Sequence, residues 1–185
     1  DNNLGRSLDA IFEVGTSRIL AELGVRATHG FGLDPSAVSY DTTSTSVWGD
    51  YLECEQESPP EGPLLTYGHS KDHRPDLKQF MTELLCVERG VPIFGSIRDG
   101  NSSDKTSNNE MLTRISSIMA RHGLGAGAFV YVADSAMVTS GNLAVIGDAT
   151  RFVSRLPATY SACSQAVTEA VEANAWTYVG RLSEN

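Results

Sequence analysis

Apolar residues recur every three to four positions in several segments, a spacing typical of helices that bury one face. Between Leu4 and Leu23 this pattern is interrupted at Gly15 and followed by Gly24, so we expect two helices that end before Gly24. Residues 29–35 are rich in glycine and are expected to form a loop. The pattern predicts further helices over residues 108–122, 140–146 and 160–176, the second of them capped by Ser140.

Other segments have the periodicity of strands. Residues 37–47 place Val38, Tyr40 and Thr42 on one face and Ser39, Asp41 and Thr43 on the other, which predicts a strand. Residues 128–133 are continuously apolar and suit a buried central strand. Residues 78–88 and 91–97 flank a turn and predict a hairpin, and residues 151–156 predict a last strand. Residues 53–63 are rich in Pro and predict an exposed loop.

The order of these elements predicts the fold class. It reads helices, strand, hairpin, helix, strand, helix, strand, helix, which is typical of a mixed α/β fold with helices on the faces of one sheet. Asp41 lies within the first predicted strand, and Asp134 directly follows the fourth. If those strands are adjacent and parallel, both carboxylates lie at the same edge of the sheet, where ligands of open α/β sheets bind. An Asp at a strand end is also a common turn former or helix cap.

Composition narrows the function. The formal net charge of -9 argues against broad electrostatic binding of nucleic acid, because phosphate affinity comes mainly from Lys and Arg. No apolar run reaches the roughly 18 residues of a membrane span, and the first residues lack the layout of a signal peptide. We therefore expect a cytoplasmic protein without a membrane partner. Cys54, Cys86 and Cys163 lack metal or disulfide spacing and are predicted to be buried or incidental thiols.

Four segments carry a family resemblance. They are SYDTTSTSVWGDY (39–51), TYGHSKDHRPDLKQ (66–79), DGNSSDK (99–105) and YVADSAMVT (131–139). In this order they resemble the DDE transposases of bacterial insertion sequences, enzymes of the cut-and-paste type. The resemblance implies a bacterial protein with a ribonuclease H-like catalytic core over residues 34–185, a mixed sheet flanked by helices. Residues 1–33 are expected to form an N-terminal helical segment.

The resemblance also implies the site. Asp41 and Asp134 match the first two acidic residues, which are catalytic and bind two Mg²⁺ or Mn²⁺ ions. A third acidic residue, a Glu on a late helix, is not identifiable here. Glu169 and Glu172 follow the last strand too closely, and Glu184 lacks the expected Tyr, Arg and Lys neighbours. We therefore expect a fragment with an incomplete catalytic core, inactive by itself, whose full-length form is a homodimer.

The remaining candidates have competing interpretations. Lys71, His73 and Arg74 are predicted to contact DNA, although a solvated turn with an Asp–Arg pair explains them equally well. Simpler structural roles suit the other polar and aromatic candidates. His69 and His122 could be metal ligands, but isolated His residues without a partner at ligand spacing fit surface or core positions better. Thr42 and Thr43 fit either strand formers or residues that orient Asp41 or a bound phosphate. Asp99 and Asp104 fit a turn and a helix start, and Trp48 and Trp176 fit packing residues.

The function implied by the resemblance is DNA transposition, with metal-dependent phosphodiester cleavage and strand transfer at transposon ends. The partners would be transposon-end and target DNA. Two alternatives stay open. One is a catalytically inactive remnant of a transposase, and the other is a metal-dependent nuclease unrelated to mobile DNA.

Overall fold

The computed structural model describes residues 2–51, 62–125 and 127–180. The predicted loop over residues 53–63 lies mostly outside this part of the chain, as do Cys54 and Glu184. The described chain divides into two compact units, Asp1–Ser154 and Arg155–Asn185, which we treat separately. The predicted boundary at residue 33 stays a prediction. None of the described helices is long and apolar enough to cross a bilayer.

The first unit contains five strands and four helices within its described residues. The helices are α1 (Asn2–Val14), α2 (Thr16–Phe31), α3 (Asp104–Arg121) and α4 (Ser140–Ile146). The strands are β1 (Ala37–Val47), β2 (Lys78–Val87), β3 (Val91–Asp99), β4 (Val130–Ala133) and β5 (Arg151–Val153). The described part of the second unit contains α5 (Ser161–Ala173), in which no residue is buried.

The strands form one mixed sheet in the order β3-β2-β1-β4-β5. The first three strands are antiparallel neighbours, whereas β4 is parallel to both β1 and β5. This is the predicted α/β class, a mixed sheet flanked by helices with an N-terminal helical segment, and it is consistent with a ribonuclease H-like fold. The order of elements along the chain is also as predicted.

The core lies between one face of the sheet and α3. Val38 and Tyr40 of β1 point into it, and Ile115 and Met119 of α3 pack against them as part of one buried cluster. The alternation along β1 follows the prediction, with the even-numbered residues up to Ser44 buried and the odd-numbered ones exposed. Asp41 therefore lies on the opposite face of the sheet from α3.

Several predicted boundaries are wrong. Gly24 does not end α2 but lies buried within it, and the helix continues to Phe31, into the predicted loop. Helix α3 begins at Asp104 rather than at residue 108, because the Ser103 side chain accepts a hydrogen bond from the Thr106 N–H and caps it. Thr139, not Ser140, caps α4 in the same way. The predicted ranges of β4, β5 and α5 are each a few residues longer than the observed elements.

Candidate functional site

Strand pairing brings Asp41 and Asp134 to the same edge of the sheet. Strands β1 and β4 run parallel, and Tyr40 lies opposite Ala133 in their register. The residue that follows each of these in the sequence is an aspartate, so Asp41 and Asp134 both lie at the carboxyl end of the paired region. The predicted adjacency of the two strands is confirmed. The roles of the two aspartates remain predictions.

Asp41 projects from the exposed face of β1, where 76% of its side chain is accessible. One carboxylate oxygen, Oδ1, accepts a hydrogen bond from the Thr42 N–H at 2.8 Å. The same oxygen lies 4.0 Å from the ammonium nitrogen of Lys71. Asp41 is therefore exposed to solvent. Its carboxylate is oriented by the backbone N–H of Thr42 and by the Lys71 ammonium group.

Asp134 ends β4 and caps the short turn that follows. Its Oδ1 accepts a hydrogen bond from the Ala136 N–H at 3.1 Å. Its backbone carbonyl accepts one from the Ser154 hydroxyl at 2.7 Å, just beyond β5. The capping interpretation of this aspartate is therefore correct. A cap occupies one carboxylate oxygen, so it does not exclude a ligand on the other.

Lys71 links Asp41 to the beginning of α3. Its ammonium group donates to the backbone carbonyl of Thr42 and lies 3.8 Å from Oδ2 of Asp104. The Thr42 hydroxyl donates to the other oxygen of Asp104. Asp104 begins α3, which agrees with its interpretation as a helix start but not with the predicted boundary at residue 108, and it also contacts the group beside Asp41. Sequence reasoning missed this second role, although the DGNSSDK segment contains the residue.

The other two predicted DNA contacts lie further along the same loop. Arg74 forms a two-point pair with Asp76, at 2.8 and 2.7 Å, which is the Asp–Arg pairing expected of a turn. Its guanidinium also lies over the Trp48 ring, with Cζ 5.4 Å from the centroid. His73 is exposed and adopts a left-handed backbone conformation with φ of 57°. Contact of Lys71, His73 or Arg74 with DNA stays a prediction.

The tryptophans do not pack in the core. Trp48 and Trp176 are each 70% exposed, so the prediction that both are packing residues is wrong. Trp48 directly follows β1, and among the described residues no helix or strand buries its ring. The signal available in the sequence was its position after a Ser/Thr-rich strand and before Gly49.

A divalent cation was the predicted cofactor. Among the described residues no group of three His, Cys, Asp or Glu side chains could hold a metal ion. Two carboxylates at one sheet edge still fit Mg²⁺, which is usually held by one or two carboxylates with water and substrate phosphate. His122 does not suit this role, because it is buried and follows the end of α3 opposite to Asp104, the end that lies beside Asp41.

Two cavities clarify where a ligand has room. A depression of about 190 Å³ on the exposed face of the sheet is lined by Ser39, Asp41, Thr43, Thr82, Leu84 and Cys86. A larger one of about 420 Å³ lies along β3 and includes Arg98 and Arg114, but none of the predicted site residues lines it. Of these two cavities, only the one of about 190 Å³ is lined by a predicted metal-ligating residue, Asp41.

A buried polar network supports β1 from behind the site. Glu83 of β2 accepts hydrogen bonds from the Tyr40 hydroxyl at 2.8 Å and from the Arg98 guanidinium at 2.8 Å. Burial would raise the pKa of Glu83, but the bonds from Arg98, Ser96 and Tyr40 hold that pKa below its ordinary value. Burial, with the Glu83 charge, raises the pKa of Tyr40, so this phenol stays protonated. The residue before Asp41 is thus tied to the core.

Comparisons with known proteins found likenesses among solved structures. No protein-family model matches the chain, and no curated protein matches it. A Mos1 transposase paired-end complex with the left transposon end is similar at 11% identity and a TM-score of 0.42, covering 82% of this chain and 46% of that one. A pre-cleavage Mos1 transpososome is similar at 10% identity and a TM-score of 0.39, covering 84% and 48%. This chain therefore spans about half the length of those proteins.

Proposed function

We propose that the chain is the catalytic core of a DDE transposase of the type found in bacterial insertion sequences, acting on DNA at transposon ends. The observation that carries the proposal is the parallel register of β1 and β4, with Asp41 and Asp134 following the paired residues Tyr40 and Ala133. Two carboxylates at the carboxyl edge of an α/β sheet suit a metal-dependent phosphoryl-transfer site. The four motif segments described above support the same family.

Asp41 and Asp134 would hold two Mg²⁺ or Mn²⁺ ions. Bound there, such ions lower the pKa of an attacking water and stabilise the leaving oxygen. Lys71 contributes an ammonium group beside Asp41, where it can neutralise charge on a phosphate oxygen. Asp41 and Asp134 would orient the cleaved phosphate only through the cations that they hold, and phosphoryl transfer depends mainly on such positioning and charge stabilisation.

The reaction proceeds by in-line displacement at phosphorus. In the first step the water oxygen bonds to phosphorus while the P–O3′ bond breaks, which leaves a 3′-hydroxyl on the released strand. In strand transfer the oxygen of that hydroxyl bonds to a phosphorus of the target DNA while the P–O3′ bond of the target breaks, so the target strand leaves with a 3′-hydroxyl. No covalent bond between the protein and DNA is required. A third carboxylate belongs to this chemistry in the proposed family, and we assign it to no residue.

Nicking of supercoiled plasmid DNA in the presence of Mg²⁺ or Mn²⁺, by a form of the protein that carries all three carboxylates, tests the proposal. The chain by itself is expected to be inactive, because its third carboxylate is unassigned. We expect metal-dependent nicking that Asp41→Asn and Asp134→Asn each reduce at least about 100-fold, because each removes a ligand of the cations that would stabilise the transition state. Asp148→Asn, at an exposed position outside the paired strand ends, is the matched control and is expected to nick like the unmodified protein.

The alternatives give different results in the same experiment. A catalytically inactive transposase core would bind Mn²⁺ through Asp41 and Asp134, measured by titration calorimetry, without nicking DNA. The unassigned third carboxylate is the observation that favours this second candidate. A nuclease unrelated to mobile DNA would nick but would show no preference for the inverted repeats that end a transposon. Nicking that survives both substitutions would overturn the assigned site.

A further inference from the structure

Trp48 is an indole held at the surface next to the candidate site. It directly follows β1, and 70% of it is exposed to solvent. Exposure of a large aromatic side chain forfeits the stabilisation that its burial would give. A flat, exposed ring next to basic residues is the kind of surface on which nucleic-acid bases stack.

Hydrogen bonds from Lys78 and the conformation of Gly49 fix the turn that carries Trp48. Lys78, which is buried at the start of β2, donates its ammonium group to the carbonyls of Asp50 and Tyr51. Gly49 has φ of 139°, and a Cβ there would lie 2.9 Å from the Tyr51 ring, so only glycine lets this turn close. Trp48 is therefore presented by a preorganised turn, which lowers the entropy lost on binding.

Arg74 is fixed against the same ring. Its guanidinium lies 5.4 Å from the Trp48 ring centroid, a distance within the range of cation–π contacts. The two-point pair with Asp76 holds the guanidinium plane, and the Arg74 N–H donates to the buried Ser70 hydroxyl at 3.2 Å. Together, Trp48 and Arg74 form a prearranged pair of flat groups, which we call the stacking pair.

The stacking pair is continuous with the candidate site. The loop that carries Arg74 also carries Lys71, whose N–H donates to the Ser44 hydroxyl of β1 at 3.0 Å and whose ammonium group lies beside Asp41. The loop thus follows the second half of β1 from Asp41 towards Trp48. Seven residues of strand span about 23 Å. That length equals about seven nucleotide steps of B-form DNA.

We propose that Trp48 and Arg74 form a stacking site for an unpaired base of the DNA strand whose phosphate lies at Asp41 and Asp134. The identity of the ligand rests on the proposed function. Every base has a π face, so such a site is tolerant of sequence. With a net charge of -9 the chain gains little from general attraction to phosphate, so stacking supplies a large share of the affinity.

Binding of a fluorescein-labelled dT12 oligonucleotide, followed by anisotropy at low salt, measures the contribution of each ring. We expect Trp48→Ala to weaken binding at least about fivefold, within the range known for single stacking contacts. Trp48→Phe keeps an aromatic ring and is expected to recover most of the affinity. Trp176→Ala is the matched control, since both tryptophans are 70% exposed, and it is expected to bind like the unmodified chain.

Tryptophan fluorescence locates the contact. The Trp176→Phe variant retains only Trp48, and dT12 is expected to quench its emission to saturation. In the Trp48→Phe variant only Trp176 remains, and the emission is expected to change little. Equal affinities of the Trp48→Ala and Trp176→Ala variants, quenching confined to Trp176, or no binding of dT12 by the unmodified chain would overturn the proposal. Stronger binding of double-stranded than of single-stranded DNA would do so as well.

The proposed function and this inference can fail separately. Asp41→Asn is expected to lose nicking but to keep the quenching of Trp48, because the stacking pair does not include Asp41. If Asp41→Asn loses nicking while Trp48→Ala binds dT12 normally, the catalytic assignment stands and the stacking site does not. Binding that depends on Trp48 in a chain that never nicks would leave the stacking site without the catalysis.

Discussion

Glu83 is the charged residue on which the region behind Asp41 depends most. Only 1% of its side chain is exposed, and it faces the Arg98 guanidinium at 2.8 Å. It also accepts hydrogen bonds from the Tyr40 and Ser96 hydroxyls. A buried carboxylate with these partners is costly to disturb. Its loss leaves the Tyr40 and Ser96 hydroxyls without this acceptor and leaves Arg98 paired only with the more exposed Glu110.

Glu83→Gln is expected to lower the free energy of unfolding by about 3 kcal/mol at neutral pH, since it leaves the Arg98 charge without its buried partner. The pKa of Glu83 is held below its ordinary value in the folded protein. Its contribution is therefore complete above about pH 5 and is lost as the pH falls through the folded pKa. Urea unfolding between pH 3 and 8 should show the gap between variant and parent narrowing in acid.

The control for this measurement is Asp76→Asn, which breaks an exposed ion pair with Arg74. Water screens an exposed pair, so only a small loss of stability is expected there. A Glu83→Gln loss no larger than the Asp76→Asn loss would contradict the importance given to the buried network.

Helix α2 shows how two glycines set the contact between an element and the sheet. A Cβ at Gly24 would lie 2.7 Å from the Cα of Ile93, and a Cβ at Gly95 would lie 2.9 Å from the Leu20 side chain. The Ser17 hydroxyl donates to the Gly95 carbonyl at 2.8 Å. The helix and β3 therefore meet backbone to backbone. This explains why Gly24 lies within the helix and does not end it.

Two alanine substitutions in α2 separate packing from helix propensity. Gly24→Ala is expected to destabilise the protein by about 1 to 3 kcal/mol, because the new methyl group meets backbone that cannot move aside. Gly30→Ala lies in the same helix with nothing within 4 Å of its Cβ, and it is expected to stabilise by about 0.5 kcal/mol. Thermal unfolding of both variants measures the difference. A stabilised Gly24→Ala variant would refute the close packing of α2 on β3.

Charge is the property that belongs to the whole molecule. The chain has 14 Lys and Arg residues against 23 Asp and Glu, and its basic residues near the candidate site are few. Arg74 is paired with Asp76, and Lys71 lies beside two aspartates. Any DNA strand that binds this chain is therefore held by few ionic contacts, and most of its affinity must come from other interactions.

The salt dependence of dT12 binding measures this balance. With about two cations engaged, the slope of log K against log salt is expected to be near -1.4, and Lys71→Gln is expected to make it shallower by about 0.7. Lys105→Gln, at an exposed position on α3, is the control and should leave the slope unchanged. A slope steeper than about -4 would indicate a broad basic surface that the charge distribution does not support.

The local pattern of the sequence determined the elements and their faces. The alternation through Val38, Tyr40 and Thr42 assigned the buried face of β1, because successive residues of a strand point to opposite sides. Turn residues such as Arg89 and Gly90 placed the hairpin of β2 and β3. The motif segments indicated Asp41 and Asp134 as the candidate acidic residues. All of this is information held within a few neighbouring residues, which a sequence displays directly.

Only the tertiary structure decided what lies beside those aspartates. Pairing of β1 with β4 joined Asp41 to Asp134 across a long stretch of chain, and the loop after residue 64 returned Lys71 to Asp41 and Arg74 to Trp48. Gly24 looked like a helix end because its reason to be glycine, the backbone of Ile93, is remote in sequence. Such contacts depend on how elements pack in space, and no local periodicity records them.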